Sequence, residues 1–195
     1  MLGGSCLLAL LLCACVVVEQ RLQFTPEPVP TEIRGARWRQ TPITYCIVRE
    51  GEGGFVEHDT FVTLAGLAMA AWGLPTTYQG ACAGSITADN GTNEIGWGDL
   101  SGDPGRLTEA GKTYIRYRSN PLGGPPEITE ADVTIERRPA RGRYTEECLY
   151  TTLLHESGHI LGVPHLSMST VMAPVISDCL QQLTPADRAA LDELY

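Results

Sequence analysis

Three of the four histidines in this 195-residue chain, His155, His159 and His165, fall in one stretch that reads His-Glu-Ser-Gly-His-Ile-Leu-Gly-Val-Pro-His. If that stretch is helical as far as Gly162, His155 and His159 stand one above the other on the same face, where two imidazoles share one metal ion. Glu156 lies about 100° further round the helix, so it flanks the ion without ligating it and serves as a general base toward water. Gly162 is where a helix stops in the left-handed conformation that only glycine adopts cheaply, and the turn brings His165 back to the same ion. Three imidazoles leave a fourth tetrahedral position open, which marks a catalytic zinc rather than a structural one. The bland alternative is a helix carrying three solvated histidines.

The elements that must hold these residues are legible on both sides. Thr145 reads as the cap of the helix, with Glu146 and Glu147 at its positive end, and Leu149, Leu153 and Ile160 form an apolar stripe for the core. Gly158 inside the helix costs about 1 kcal/mol relative to alanine, which suggests close packing at that point. Downstream, Thr184-Pro185-Ala186-Asp187 is a strong helix start, and Leu191 with Leu194 gives that last helix a buried face.

Upstream, Pro42 introduces a strand over Ile43 to Val48, which Gly51 to Gly54 ends. Asp59 then reads as the N-cap of an amphipathic helix bearing Phe61, Leu64, Leu67, Ala68, Ala71 and Trp72, closed by Gly73 and Pro75. His58, ahead of that cap, reads as a surface residue. From Thr76 to Thr108 the pattern weakens, with short strand candidates at Ser85 to Thr87 and Glu94 to Trp97. Asp89, Asp99 and Asp103 in these loops are candidate calcium ligands or ordinary turn residues. Lys112 to Arg118 alternates, placing Thr113, Ile115 and Tyr117 on one face and Tyr114, Arg116 and Arg118 on a wet, basic one, as suits a sheet edge. A further strand covers Ala131 to Glu136.

Composition narrows the function classes. A net charge of -9 argues against nucleic acid as a partner, since phosphate binding needs a basic footprint. The first 18 residues carry no charged side chain and read as an export leader over residues 1–15. Within it Leu12-Cys13-Ala14-Cys15 resembles a bacterial lipobox, which makes Cys15 a candidate for lipidation and membrane attachment; ordinary cleavage and an uncleaved anchor are the alternatives. Residues 16–36, with prolines spaced two apart from Pro26 to Pro30, read as an extended tether. Of the seven cysteines, Cys46, Cys82, Cys148 and Cys179 lie beyond the leader, an even number that predicts two disulfides among three connectivities. Cys148 stands on the face of His155 but about 10 Å along the helix, too far to ligate the same ion.

His-Glu-x-Gly-His-x-x-Gly-x-x-His, followed at Ser169 to Pro174 by a turn containing Met172, resembles the matrixin branch of the metzincin metallopeptidases. The resemblance covers roughly Trp38 to Tyr195. It implies an α/β (α+β) zincin-like fold over residues 37–195: a mixed twisted sheet with two long helices, an active-site cleft, and a small C-terminal part with the methionine turn and a terminal helix. It implies that Met172 packs beneath the metal, that Asp187 supports the turn, that the strand at Lys112 to Arg118 pairs with extended substrate, and that Cys46 joins Cys82 and Cys148 joins Cys179. Two positions depart from the matrixin pattern: Leu166 stands where serine usually follows the third histidine, and Pro174-Val175-Ile176 replaces Pro-x-Tyr. The tyrosine ligand of astacin-like relatives is also missing, its place taken by Pro174. The implied activity is that of an exported, monomeric zinc endopeptidase acting on proteins or peptides. The rival is a surface lipoprotein that keeps the fold and the zinc without turnover.

Overall fold

The computed structural model describes residues 35–49, 54–100, 110–120, 123–137, 145–175 and 178–195. The expected leader with Cys15, almost all of the tether, and Asp103 lie outside these residues. Gly35 and Ala36, at the end of the expected tether, are described, and Ala36 is fully buried. Among the described residues no helix is long and apolar enough to cross a membrane.

Five strands form one mixed sheet: β1 (Ile43–Val48), β2 (Thr76–Cys82), β3 (Glu94–Gly98), β4 (Gly111–Arg118) and β5 (Glu127–Glu136), in the spatial order β2-β1-β3-β5-β4. All neighbours are parallel except β4 and β5, so the antiparallel β4 forms one edge. Three helices complete the fold: α1 (His58–Ala71), α2 (Glu146–Ile160) and α3 (Pro185–Asp192). Strand periodicity sends Ile43, Tyr45 and Ile47 of β1 and Ala131, Val133 and Ile135 of β5 to the same side, where they meet Phe61, Ala65, Ala68 and Met69 of α1 and Leu149, Leu153 and Leu154 of α2 in one core. The Trp72 indole N–H crosses between the two helices and donates to the Leu154 carbonyl at 3.0 Å.

The other face of β5 is unusual, because Glu130, Asp132 and Glu136 point there and are also buried. A buried carboxylate must be hydrogen-bonded, and the loops lying over this face supply the donors. Glu130 accepts from the backbone N–H of Asp89 and of Gly91, each at 2.7 Å, and Glu136 accepts from Leu100 N–H at 2.7 Å. Glu94 of β3 does the same for Thr87 N–H at 2.6 Å. Asp132 accepts from Glu94 N–H and shares a hydrogen bond with Glu130. The sheet thus holds its outer loops by carboxylates.

Several expectations need correction. α1 begins at His58 with Glu57 as N-cap, not at Asp59, and no side chain caps it. Val56 and Phe61, the two positions of a hydrophobic staple about this cap, both pack in the core, so apolar contact sets the start of the helix. The residue pattern itself does not mark β2 as a strand. Its seven residues, Thr-Thr-Tyr-Gln-Gly-Ala-Cys, are mostly exposed and lack apolar alternation; parallel pairing to β1 and the Cys46–Cys82 disulfide hold it. Ser85 to Thr87 is not a strand, because the Glu94 carboxylate takes the Thr87 N–H that a ladder would need. β5 starts four residues before Ala131, at Glu127. The face of β4 that carries Tyr114, Arg116 and Arg118 is exposed as expected, and its arginines are ion-paired, Arg116 with Asp89 at 2.7 Å and Arg118 with Glu127 at 2.8 Å.

The Asp132–Glu130 pair carries a pH dependence. Burial, and then the neighbouring Glu130 and Glu94 charges, push Asp132 up from 3.8 to about 7. Between those values the unfolded chain holds fewer protons than the folded one, so this site contributes stability at low pH that is lost as pH rises toward 7. In Asp132→Asn the oxygen still accepts from Glu94, and the amide gives Glu130 a permanent donor. The variant is expected to melt about 2–4 °C above the parent at pH 8, with the gap closing toward pH 5. Thermal melts at the two pH values check this; an equal gap at both contradicts it.

Candidate active site

α2 carries the site, and its start is secured three ways. Thr145 Oγ1 accepts from Cys148 N–H at 3.3 Å, Cys148 is joined to Cys179 with Cα atoms 4.7 Å apart, and Thr151 donates to the Leu180 carbonyl at 2.8 Å. The other disulfide joins Cys46 and Cys82. From Thr151 to Ile160 every residue of α2 is buried. Gly158 has no room for a side chain, since an added Cβ would overlap Met172 Sδ and the Trp72 ring. The helix ends in a Schellman motif: Gly162 is left-handed at φ 88°, Val163 N–H reaches the Gly158 carbonyl, and Gly162 N–H reaches the His159 carbonyl, both at 2.9 Å. A side chain at Gly162 would also strike the Ala36 carbonyl.

The same turn orients a histidine. The Val163 carbonyl stands 2.8 Å from His159 Nδ1, and the Val171 carbonyl stands 2.7 Å from His155 Nδ1. A carbonyl only accepts, so each Nδ1 carries the proton and each Nε2 presents a bare lone pair. His159 Nε2 lies 3.1 Å from His155 Nε2 and 3.2 Å from His165 Nε2. Two lone pairs at that distance repel unless a cation sits among them. Ligands about 2.0–2.1 Å from a tetrahedral zinc stand roughly 3.3 Å from one another, so the donor set fits that ion. Burial pushes His155 down to about 4, with the neighbouring His165 charge acting the same way. Burial, then His155 and His165, holds His159 well below 6.5, and burial lowers His165. All three are neutral near pH 7, the form that ligates.

Behind the histidines, Met172 is fully buried, and Leu166 N–H donates to the Met172 carbonyl at 2.8 Å. The turn hangs on Asp187 of α3, itself fully buried. Asp187 Oδ2 accepts from Val171 N–H at 3.1 Å and from the Thr184 N–H and hydroxyl at 2.8 and 2.7 Å, while Oδ1 accepts from Met172 N–H at 3.0 Å. The residue that caps α3 therefore also fixes Val171, whose carbonyl fixes His155.

Glu156 is buried beside His155, and its carboxylate meets Thr113 of β4, whose hydroxyl lies 2.5 Å from Oε2. Thr113 was legible only as one position on a strand face, because nothing in the spacing of β4 and α2 reveals which strand residue faces the helix. His58 does not join the histidine group. Among the described residues, Asp89 and Asp99 belong to no group of three or more histidine, cysteine or carboxylate side chains close enough to share one ion. Cys46 and Cys82 lie near Glu94, but their sulfurs are tied up in the disulfide.

Asp187→Asn replaces one accepting oxygen with a donor facing backbone N–H groups. It is expected to cost about 2–4 kcal/mol in denaturant unfolding of the metal-free protein and to weaken zinc affinity about 10-fold or more through Val171 and His155. Unfolding curves with a competitive zinc titration check both, and an unchanged zinc affinity would separate Asp187 from the histidines.

A comparison with curated proteins gives no match. The sequence profile of the matrixin family, peptidase M10, matches residues 37–195, the span that holds the sheet, the three helices and the histidine cluster. The chain belongs to the matrixin family of zinc metallopeptidases.

Proposed function

We propose that the protein is an exported endopeptidase in which His155, His159 and His165 hold the zinc ion and Glu156 moves the proton. What carries the reading is the convergence of three neutral Nε2 atoms, two with the opposite nitrogen held by a carbonyl, next to a buried carboxylate that is not one of them. A zinc ion on three imidazoles supplies a Lewis acid that acidifies water and polarises a carbonyl. Glu156 takes the proton from water as its oxygen attacks the scissile carbonyl, and returns that proton to the nitrogen as the C–N bond breaks. Met172, packed against Gly158, keeps solvent and mobile side chains from beneath the histidines. β4, at the edge of the sheet, offers backbone groups to an extended substrate, which would add as a further strand.

Two disulfides fit an oxidising compartment outside the cytoplasm. We place the protein at a membrane surface through lipid on Cys15, with residues 16–36 as tether; the lipobox-like Leu12 to Cys15 supports this.

Glu156→Ala is expected to lower peptide hydrolysis about 10²–10⁴-fold while keeping close to one zinc per chain, because it removes a base and no ligand. His159→Ala loses zinc and activity together. Metal analysis beside a peptide-library assay distinguishes the two, and parental cleavage by Glu156→Ala would end the reading. Cys15→Ser is expected to leave the membrane fraction or stall in processing; unchanged fractionation with no lipid mass on the parent protein would overturn the anchor.

A further inference from the structure

We propose that Thr113 is a positioning residue for Glu156, acting with the space that Gly111 leaves beside it. The proposal rests on Glu156 being the base. Thr113 Oγ1 lies 2.5 Å from Glu156 Oε2 and 3.3 Å from the Glu156 backbone carbonyl, and since a hydroxyl has one proton, the short bond goes to the carboxylate. Two residues earlier on the same strand face, a Cβ on Gly111 would overlap Oε1, Cγ and Cδ of Glu156. Both positions are fixed by the ladder, Gly111 opposite Ile135 and Thr113 opposite Val133. One face of one strand thus holds Oε2 with a donor and leaves a slot for Oε1.

A glutamate has three side-chain torsions, and a base works only within hydrogen-bond reach of the proton it takes. Holding Oε2 removes that freedom before substrate arrives. The competing role for Thr113 is to tie β4 to α2 without touching the chemistry, and the two roles make different predictions.

The test uses the full chain loaded with zinc and a peptide substrate. Thr113→Val keeps the shape and strand preference but loses the donor; Thr113→Ser keeps the donor. The valine variant is expected to lose about 10-fold or more in kcat with KM within about 3-fold, and the serine variant to stay within about 3-fold of the parent. Zinc content and melting temperature of the valine variant should match the parent. Placed on Glu156→Ala, Thr113→Val should cost nothing further, because its partner is gone. Gly111→Ala, which displaces the carboxylate without removing the donor, should also lower kcat. Unchanged kcat in Thr113→Val, an equal loss on the Glu156→Ala background, or a loss that follows zinc content or melting temperature would overturn the positioning role. In the first two cases a normal defect in Glu156→Ala itself leaves the base assignment standing; parental activity in Glu156→Ala would remove both.

Discussion

The Asp187 carboxylate is the constraint on which the lower half of the site depends. It is fully buried, and it accepts four hydrogen bonds from donors that belong to two different elements. Two are the N–H and hydroxyl of Thr184 at the start of α3. The other two are successive N–H groups of the methionine turn. A group that must satisfy both cannot let either move, and the carbonyl of one of those turn residues sets the ring of His155. Helix capping, turn geometry and imidazole tautomer are in this way consequences of one buried side chain.

The upper half is organised by the termination of α2. Gly162 ends the helix and sends the Val163 carbonyl back to His159, so the device that stops the helix also orients that imidazole. Beneath them Gly158 admits Met172 and Trp72 to the helix backbone, and the Trp72 indole returns a hydrogen bond to Leu154. The helix-destabilising cost of glycine at position 158 is offset by contacts that any side chain would block.

Much of this is legible in the sequence. β1 and β3, the cap at Thr145, the stop at Gly162 and the capping sequence at Thr184 are local chemistry, where the residue types dictate the backbone and few alternatives compete. What could not be read was decided by partners distant in sequence. β2 is polar and mostly exposed, and it is a strand because β1 and a disulfide make it one. Thr87 gives up its ladder hydrogen bond to Glu94, and the arginines of β4 are neutralised by Asp89 and Glu127, none of which spacing along the chain reveals. The convergence of the three histidines was legible because their spacing is itself the geometry; Thr113 beside Glu156 was not, because that contact spans 43 residues and two elements.

The end of α2 also receives two segments from far along the chain. The Trp38 indole N–H donates to the Ile160 carbonyl at 2.7 Å, the Tyr195 hydroxyl donates to the Leu161 carbonyl at 3.1 Å, and Trp38 N–H in turn donates to that hydroxyl at 3.0 Å. Arg37 reaches the Leu194 carbonyl from a position 157 residues away in sequence. Contacts of such separation carry a large loop-closure cost, which order in the intervening chain reduces. A nascent chain that has not yet delivered α3 has neither Asp187 under the methionine turn nor Tyr195 at the helix end. Its histidines are present, but the hydrogen bonds that run from Asp187 through Val171 to the His155 ring are not yet made, so the arrangement of the cluster depends on residues that follow it in the chain.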